Sequence, residues 1–325
     1  MKIIALEEHY ATAAYNAKID PAGKRAANLA SRSEKLGHDI SAELLDLGKS
    51  RLAAMDAAGI DMQVLSMSVP GLQGFTDASV AVPLAIETND HVAAAVKAHP
   101  ARFAGFAVLP TADPAASAKE LERTVTRLGF KGAMINGHTQ GSFLDDKKYW
   151  GIFECAEAVK APIYIHPRDP HPLAAKAYFE GYEELSTAAW GFAMDTCSHF
   201  LRLMMSGVFD RFPGLKIILG HLGEGLPFWM PRLEDHTQIA MKRRGLKRSS
   251  TEYLTENVAI TCSGHFSVPA FLCSVLAMGI DNVMFSVDWP YESNKIGMEF
   301  FDKLPFSPAD LEKIAHGNAE RILRL

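Results

Sequence analysis

Four segments of the chain pass from an apolar run to a side chain that can bind a metal ion or move a proton. The segments are IIALEEHY, which holds Glu7 and His9, PIYIHPRDP with His166, KIILGHLGEG with His221, and VMFSVDWP with Asp288. Their apolar runs contain many β-branched residues, which favours β-strands. Because the C-terminal ends of parallel strands meet at one end of a sheet, these side chains are expected to converge there.

Spacing within the first segment predicts a metal site. Side chains alternate along a strand, so Glu7 and His9 point to one face and Glu8 to the other. His166 and Asp288 can complete the ligand set. A lone strand histidine is more often a satisfied core residue than a ligand, but independent core histidines would not all fall at strand ends. Carboxylate and imidazole ligands suit Zn²⁺ or Mn²⁺, disfavour metals that prefer thiolates, and leave positions open for water or substrate.

A role in proton transfer is expected for His221, more than a role as a metal ligand. Glu224 follows it by three residues and could orient the imidazole; a carboxylate there could also simply favour the dipole of the next helix. Asp288 has two expected roles, as a metal ligand and as a catalytic acid or base. His221, Glu224 and Asp288 form the predicted catalytic group.

The candidates for substrate binding could equally have purely structural roles. Asn136 ends the fourth apolar run and could hydrogen-bond a substrate. Arg232 follows GHLGEG within a predicted helix and could bind a substrate carboxylate or form an ordinary surface salt bridge. His265 closes TCSGHF and could lie in the pocket or in the core. His138, just after Asn136, is expected near the pocket.

Eight strands are predicted to position these residues, with amphipathic helical stretches between them. Their approximate bounds are 2–9, 62–68, 103–109, 131–137, 162–167, 215–221, 257–263 and 283–288. Strand–helix alternation repeated eight times indicates an α/β fold, a (β/α)8 TIM barrel that forms a single domain over residues 1–325. Two longer stretches, 10–40 and 168–190, leave strand C-terminal ends and are expected to form loops over the active site. A last helix is predicted near the C-terminus, with Ser307 as its N-cap.

Composition excludes several classes of protein. The 325 residues are 48% hydrophobic and 22% charged, with a net charge of −5 and no basic run, so no nucleic-acid partner is expected. An acidic chain must draw in any carboxylate ligand locally, through a metal ion or an arginine. No apolar run approaches the ~20 residues of a membrane span. The four cysteines form no CxxC pair and are expected to be reduced thiols in a cytoplasmic protein.

Five motifs in order, ALEEH, YIHPRDP, ILGHLGEGLPFW, TCSGHF and FSVDWPYE, resemble the amidohydrolase superfamily. More narrowly, they resemble its decarboxylase branch, which includes γ-resorcylate (2,6-dihydroxybenzoate) and 2,3-dihydroxybenzoate decarboxylases. The resemblance implies that Glu7, His9, His166 and Asp288 surround one Zn²⁺ or Mn²⁺, and that His221 and Glu224 assist proton transfer. It also implies a homo-oligomer, a dimer or a tetramer. Barrels of this superfamily with two metals usually carry a bridging ligand, often a carbamylated lysine, on strand four; KGAMINGH has none there, which favours a single metal.

The resemblance implies non-oxidative decarboxylation of an ortho-hydroxybenzoate, a small aromatic carboxylate, to a phenol and CO₂. Asp288 would protonate the ring carbon that bears the carboxylate, which calls for an acid whose pKa is raised by burial. The same residues could instead hydrolyse a lactone or an amide, with Asp288 as a general base. A barrel with a structural metal that only binds a ligand is the third alternative. One departure concerns Pro231, which stands beside Arg232 where the relatives commonly have an aromatic residue.

Overall fold

Parallel β-strands follow one another in chain order around a ring. The computed structural model describes residues 1–20 and 22–325. The strands are β1 (Ile4–Tyr10), β2 (Met62–Met67), β3 (Phe103–Gly105), β4 (Ala107–Val108), β5 (Ala133–Asn136), β6 (Ile163–His166), β7 (Ile217–Leu219), β8 (Val258–Thr261) and β9 (Val283–Met284). They pair as two parallel sheets, β1–β2–β3 and β4–β5–β6–β7–β8–β9.

The two sheets are arcs of one barrel. β3 and β4 are two parts of the predicted strand 103–109, divided at Phe106, whose N–H still donates to Leu65 O at 2.9 Å while the next N–H turns to Gly132 O. A parallel bridge between Leu6 and Ser286 joins β1 to the segment that follows β9. The predicted eight-stranded (β/α)8 barrel is therefore confirmed.

Helices cover the outside of the ring and fill the connections between strands. The α-helices are α1 (Ala13–Ile19), α2 (Lys24–Leu36), α3 (Ile40–Leu45), α4 (Lys49–Ala58), α5 (Ala78–Ala98), α6 (Pro114–Arg127), α7 (Trp150–Val159), α8 (Pro172–Phe179), α9 (Gly191–Ser206), α10 (Val208–Arg211), α11 (Leu226–Arg243), α12 (Ser250–Asn257), α13 (Val268–Met278), α14 (Asn294–Phe301), α15 (Pro308–Glu312) and α16 (Asn318–Leu323). Short 3₁₀ turns lie among them at Gly71–Gly74, Lys147–Tyr149, Glu183–Ser186, His221–Gly225 and Ile280–Asn282.

Two hydrophobic cores follow from strand alternation. The smaller one fills the barrel and is closed at the N-terminal end of the strands by α16; its members are Ile4, Leu6, Val64, Ala104, Phe106, Met134, Tyr164, Ile218, Ala259, Met284, Ala319 and Leu323. The larger one lies between the strands and the outer helices, and Ala5, Leu65 and Ile217 belong to it. Adjacent strand residues thus serve different cores.

The two stretches expected to be loops contain helices. Residues 10–40, of which residue 21 lies outside the described residues, include α1 and α2, and residues 168–190 include α8. Side-chain capping explains in part why a helix forms where a loop was expected. At the start of α1, Thr12 Oγ1 accepts from Tyr15 N at 3.1 Å. The placement agrees with the expectation, because Arg25 of α2 donates to Ser68 Oγ at 2.9 Å, beyond the C-terminal end of β2.

Three smaller expectations concern the C-terminus, the cysteines and the membrane. Ser307 caps α15, as predicted, but a π-helical turn over Lys313–Gly317 separates α15 from α16. All four cysteines are free thiols. Among the described residues, no helix combines the length and apolar character needed to cross a bilayer.

Candidate active site

A β-bulge in β1 places the first two functional side chains. Ala5 pairs with Gln63 and Glu8 with Leu65, so Leu6 and Glu7 together oppose one residue of β2. Glu7 has a φ of 62° at this point, in the left-handed region. The bulge shifts the alternation by one residue. As a result Leu6 joins the barrel core, while Glu7 and His9 also point inward above it and Glu8 points outward.

Glu7, His9, His166 and Asp288 come together as the sequence predicted. One ligand atom of each residue lies within 4.8 Å of every other. Glu7 Oε1 lies 3.0 Å from His166 Nε2, and Asp288 Oδ1 lies 3.0 Å from His9 Nε2. In the part of the chain that the structure describes, this is the one group of such residues that could hold a metal ion.

The donor set fits one divalent cation. His166 Nδ1 lies 2.7 Å from Pro167 O, so Nδ1 carries the ring proton and leaves Nε2 with a lone pair directed at Glu7. A lone pair and a carboxylate oxygen at 3.0 Å repel unless a cation lies with them. Glu7 Oε1 and Asp288 Oδ1 are also buried without a well-directed hydrogen bond from any described residue. Carboxylate and imidazole ligands of this kind suit Mn²⁺ or Zn²⁺.

His221 lies between the cluster and Glu224. Its Nδ1 lies 2.7 Å from Glu224 Oε1, while its Nε2 lies 3.3 Å from Glu7 Oε1 and 3.8 Å from Asp288 Oδ2. Glu224 belongs to the 3₁₀ turn before α11 and contacts the imidazole directly, so orientation of His221 explains its position better than the helix dipole. Together His221 and Glu224 form a pair aimed at Asp288.

Opposite charges determine the protonation of this group. Burial acts to raise the pKa of Glu7, but the positive charge of His221 is the first of the influences that outweigh it and lower the pKa to about 2. Burial likewise acts to raise the pKa of Asp288, yet His221 and His9 hold it well below its ordinary value. Burial acts to lower the pKa of His221, whereas Glu224 and Glu7 raise it far above its usual range. The expected pKa raised by burial is therefore wrong for Asp288; within this group the surroundings favour the charged form of His221.

The predicted substrate-binding residues differ in burial: two are buried and two are exposed. Asn136 is buried beside His166 in the β5–β6 register, and its Oδ1 has no partner among the described residues. His138 is buried next to the ring of Phe143, and burial, followed by the charge of Arg168, lowers its pKa to about 4. Both lie at the C-terminal end of β5, where a pocket residue is expected.

Arg232 and His265 are exposed, on α11 and after β8 respectively. Neither side chain belongs to the buried cluster of the single chain, and the core alternative for His265 is wrong because a core residue is shielded from solvent. Arg232 follows Pro231 inside α11, on a part of the helix surface that faces away from the core. A role for either residue in substrate binding stays a prediction.

Sequence reasoning missed the hydroxyl groups that hold Glu7. Tyr164 and Ser263 both donate to Glu7 Oε2, and Thr261 Oγ1 lies 2.8 Å from the Tyr164 hydroxyl. Tyr164 stands two residues before His166, on the same inward face, which was the available signal. In the sequence Tyr164 looks like one more apolar residue of β6. Only the structure shows that its hydroxyl points to the Glu7 carboxylate.

Comparison with known proteins gives a consistent result. The amidohydrolase family model matches residues 44–325. A γ-resorcylate decarboxylase of Polaromonas sp. (strain JS666) is 39% identical over 331 residues, covering 99% of this chain and 98% of that protein.

Two solved structures are also similar over their whole length. A 2,6-dihydroxybenzoate decarboxylase in complex with 2,6-dihydroxybenzoate superposes with a TM-score of 0.91 at 36% identity, covering all of both chains. A dihydroxybenzoic acid decarboxylase of Polaromonas sp. JS666, with bound manganese and the inhibitor 2-nitroresorcinol, has a TM-score of 0.90 at 37% identity, covering 100% of this chain and 97% of that one. With its barrel, its strand-end cluster and these similarities, the chain belongs to the amidohydrolase family.

Proposed function

We propose that the chain is a divalent-metal-dependent carboxy-lyase that removes CO₂ from an ortho-hydroxybenzoate and leaves a phenol. The observation that carries the proposal is the double environment of Asp288. One carboxylate oxygen lies in the ligand cluster, 3.0 Å from His9 Nε2, and the other faces His221 Nε2 at 3.8 Å. Similarity over nearly the full length to decarboxylases of dihydroxybenzoates supports the substrate class.

Glu7, His9, His166 and Asp288 would hold the ion, and Mn²⁺ is the first choice because it is bound in the similar structure. When bound, the ion supplies a Lewis acid that stabilises negative charge on substrate oxygens. The hydroxyls of Tyr164 and Ser263 hold one oxygen of Glu7, so that its other oxygen stays directed at the cluster. The chain thereby orients its ligands before substrate arrives.

Proton transfer falls to His221 and Asp288. His221 holds a proton because Glu224 and Glu7 stabilise its charged form, and it passes that proton to Asp288. Asp288 then delivers the proton to the ring carbon that bears the carboxylate. The bond from that carbon to the carboxylate breaks, its electron pair restores the aromatic ring, and CO₂ leaves. Asp288 is again a carboxylate, and His221, whose side chain is 22% exposed, regains a proton from solvent.

The test is a direct one for CO₂. The purified, Mn²⁺-loaded chain is incubated with a panel of ortho-hydroxybenzoates, including 2,6- and 2,3-dihydroxybenzoate, while ring absorbance and released CO₂ are followed together. We expect substrate loss matched by CO₂ and abolished by a chelator. Asp288→Asn should lower the rate by roughly 10²–10⁴-fold, because the proton donor is lost. Asp281→Asn, an exposed carboxylate paired with Lys313, is the matched control and should keep full activity.

A hydrolase of a lactone or an amide is the alternative, and the comparisons do not favour it. The same incubation separates the two. Acid release from a lactone panel, with no CO₂ from any hydroxybenzoate, would replace the proposed reaction by hydrolysis. Activity retained after complete metal removal would contradict both.

We also infer a homodimer or homotetramer in the cytoplasm, with all of residues 1–325 in one catalytic domain. Support for the assembly comes from an apolar face on α11 and α13, where Phe228, Trp229 and Leu276 are 69%, 48% and 86% exposed. Apolar patches of this kind commonly mark protein–protein contacts. A second copy of the chain is the proposed occupant of this face.

A further inference from the structure

Glu8 stands between two proposed ligands and points away from both. Its side chain is completely buried on the outer side of β1. There its carboxyl accepts from Val287 N at 2.9 Å and from Trp289 N at 3.3 Å. These two residues flank Asp288. The Glu8 carboxyl therefore binds the backbone on both sides of the proposed metal ligand and proton donor.

Arg51 of α4 completes the arrangement from outside the barrel. It is 0% exposed, and one guanidinium nitrogen donates to His9 O at 2.5 Å while another donates to Gln63 Oε1 at 3.1 Å. Its guanidinium lies 4.2 Å from the centre of the Trp289 ring. Gln63 Nε2 in turn donates to Glu8 Oε2 at 3.3 Å. We call Glu8, Gln63, Arg51 and Trp289 the outer brace.

On the side of β1, few backbone hydrogen bonds support the part of the chain that the brace holds. β9 ends at Met284, and beyond it the pairing with β1 is a single bridge, Leu6 to Ser286, followed by His9 N to Trp289 O at 2.7 Å. Asp288 has a φ of 77°, in the left-handed region that non-glycine residues seldom adopt. On the β1 side, side-chain hydrogen bonds therefore take the place of a regular strand ladder, whereas on the β8 side Gly264 N donates to Val287 O at 3.1 Å.

Stability alone does not account for such a network. Two ionisable side chains have been moved out of water, and replacing a buried pair by packed apolar residues is often neutral or stabilising. What a brace of hydrogen bonds adds is a fixed geometry. Its contacts reach both neighbours of Asp288 and the carbonyl oxygen of His9, and Asp288 Oδ1 lies 3.0 Å from His9 Nε2.

We propose that the outer brace is a positioning device, which sets the separation of His9 and Asp288 and thereby the affinity and coordination geometry of the metal site. This inference rests on the metal site of the proposed function. Glu8, Gln63 and Arg51 act through the ligands and touch neither ion nor substrate.

The test measures metal binding without substrate. Mn²⁺ is titrated into the metal-free full chain and its paramagnetic resonance spectrum recorded, for the original chain, Glu8→Gln and Arg51→Lys. The amide of Gln keeps the size of Glu8 but loses one acceptor for Trp289 N–H and Gln63. Lys keeps the charge of Arg51 but cannot reach His9 O and Gln63 together. We expect Mn²⁺ affinity to fall roughly 10–100-fold in both, as for other residues that orient ligands, with a changed spectrum at saturation.

Glu120→Gln is the matched control. Glu120 is 6% exposed on α6 and also binds an arginine, Arg123, at 2.8 Å, but it lies away from β1 and β9. It should leave Mn²⁺ affinity and spectrum unchanged. Unchanged affinity and spectrum in Glu8→Gln and Arg51→Lys as well would overturn the proposal.

A paired replacement separates positioning from stability and serves if the single variants do not fold. Glu8→Leu with Arg51→Met makes the brace apolar, so that thermal stability should return toward that of the original chain while Mn²⁺ affinity stays low. Recovery of affinity together with stability would show that the brace contributes only to folding, against the inference. The proposed function fails separately, if the Mn²⁺-loaded original chain releases no CO₂ from hydroxybenzoates.

Discussion

The two oxygens of the Glu7 carboxylate face different partners. Oε2 accepts from the hydroxyls of Tyr164 and Ser263, whereas Oε1 faces the imidazoles of His166 and His221. Donors on one oxygen fix the torsion of the carboxylate and so direct the other. A residue that never meets the ion can therefore govern how tightly the ion is bound.

Tyr164→Phe tests this relation. The change removes one hydroxyl from a completely buried site and leaves Glu7 Oε2 with Ser263 as its remaining close donor. We expect a loss of about 1–3 kcal/mol in the free energy of unfolding, since a buried acceptor loses a donor. Mn²⁺ affinity, measured by isothermal titration calorimetry, should fall roughly 10-fold or more.

Tyr253→Phe provides the comparison for that variant. The Tyr253 hydroxyl also donates to a carboxylate, Asp210 Oδ1 at 2.6 Å, on helices away from the cluster. It should lower stability but leave Mn²⁺ affinity as it was. Equal losses of affinity in the two variants would mean that Tyr164 acts only on the fold.

Residue types at strand ends were enough to predict that four side chains would cluster and that His221 and Glu224 would form a pair. The reason is that their spacing follows from the geometry of a strand and of a tight turn. The contacts of Tyr164 and Glu8 were not predicted, because the sequence around both residues looks ordinary. One stands in an apolar run, and the other was expected only to point away from the metal. Their functions depend on contacts with segments distant in the chain, which no local pattern encodes.

At the scale of elements, two local features bring the backbone close to the Glu7 carboxylate. They are the bulge in β1 and Gly220, which follows β7. The sequence predicted that Glu7 and His9 share a face, and the structure adds that Leu6 shares it too, because two residues of β1 oppose one of β2. Gly220 leaves room for Glu7: a β-carbon at this position would lie 2.5 Å from Glu7 Oε2 and 2.9 Å from the Tyr164 hydroxyl.

Gly220→Ala should therefore displace Glu7 without straining its own backbone, whose φ is −75°. We expect weaker Mn²⁺ binding together with a lower melting temperature, both recorded in one thermal-shift titration with the metal. The control is Gly151→Ala in α7, where an added β-carbon meets nothing within 4 Å. That variant should gain roughly 0.5–1 kcal/mol from the helix preference of alanine. An Mn²⁺ response of Gly220→Ala equal to that of the control would contradict the close-approach argument.

The start of α12 offers a prediction for stability alone. Ser249 and Glu252 form a capping box, with Ser249 Oγ accepting from Glu252 N at 3.2 Å and Glu252 Oε2 accepting from Ser249 N at 2.7 Å. Ser249→Ala should cost about 1 kcal/mol in urea unfolding and leave CO₂ release unchanged. Ser198→Ala, an exposed serine inside α9, should change stability by less than about 0.5 kcal/mol. A Ser249 variant as stable as the Ser198 variant would show that the cap contributes nothing.

Most strand positions were predicted closely because apolar runs with polar ends identify buried parallel strands. The last predicted strand, 283–288, is an exception, since β9 ends at Met284. The helices of the long connections were not, because their helical character rests partly on capping and on contacts such as that of Arg25 with Ser68 at the barrel mouth. Ser307 as a cap was predictable, since Ser before Pro is a local signal. The π-helical turn that follows α15 has no such signal.

On the scale of the whole molecule, the exposed apolar face belongs to outer helices, and the ligand cluster belongs to the strand ends. The ligand cluster lies at the C-terminal ends of the strands, whereas Phe228, Trp229 and Leu276 present apolar area on α11 and α13. Such a face is costly in water unless another surface covers it. A second copy of the chain is the proposed cover.

Leu276→Lys tests that assembly. Leu276 is 86% exposed, so the change costs the single chain little, but it places a charge in the proposed contact. Light scattering after size-exclusion chromatography should show a dimer or tetramer for the original chain and a smaller species for the variant. Ile86→Lys, at a 41% exposed apolar residue of α5, should leave the mass unchanged. A monomeric original chain would contradict the inferred oligomer.

The bridge between Leu6 and Ser286 has a consequence for how the protein comes into being. Glu8 and Val287, which meet beside that bridge, are 279 residues apart in the chain. During synthesis, Glu7 and His9 leave the ribosome first, and Asp288 follows only after nearly all the rest. Contacts of such long separation form late, because they carry the largest loop-closure entropy. The proposed metal site can therefore be completed only after residue 288 has been synthesised, and a chain shortened before Asp288 would lack one of its four proposed ligands.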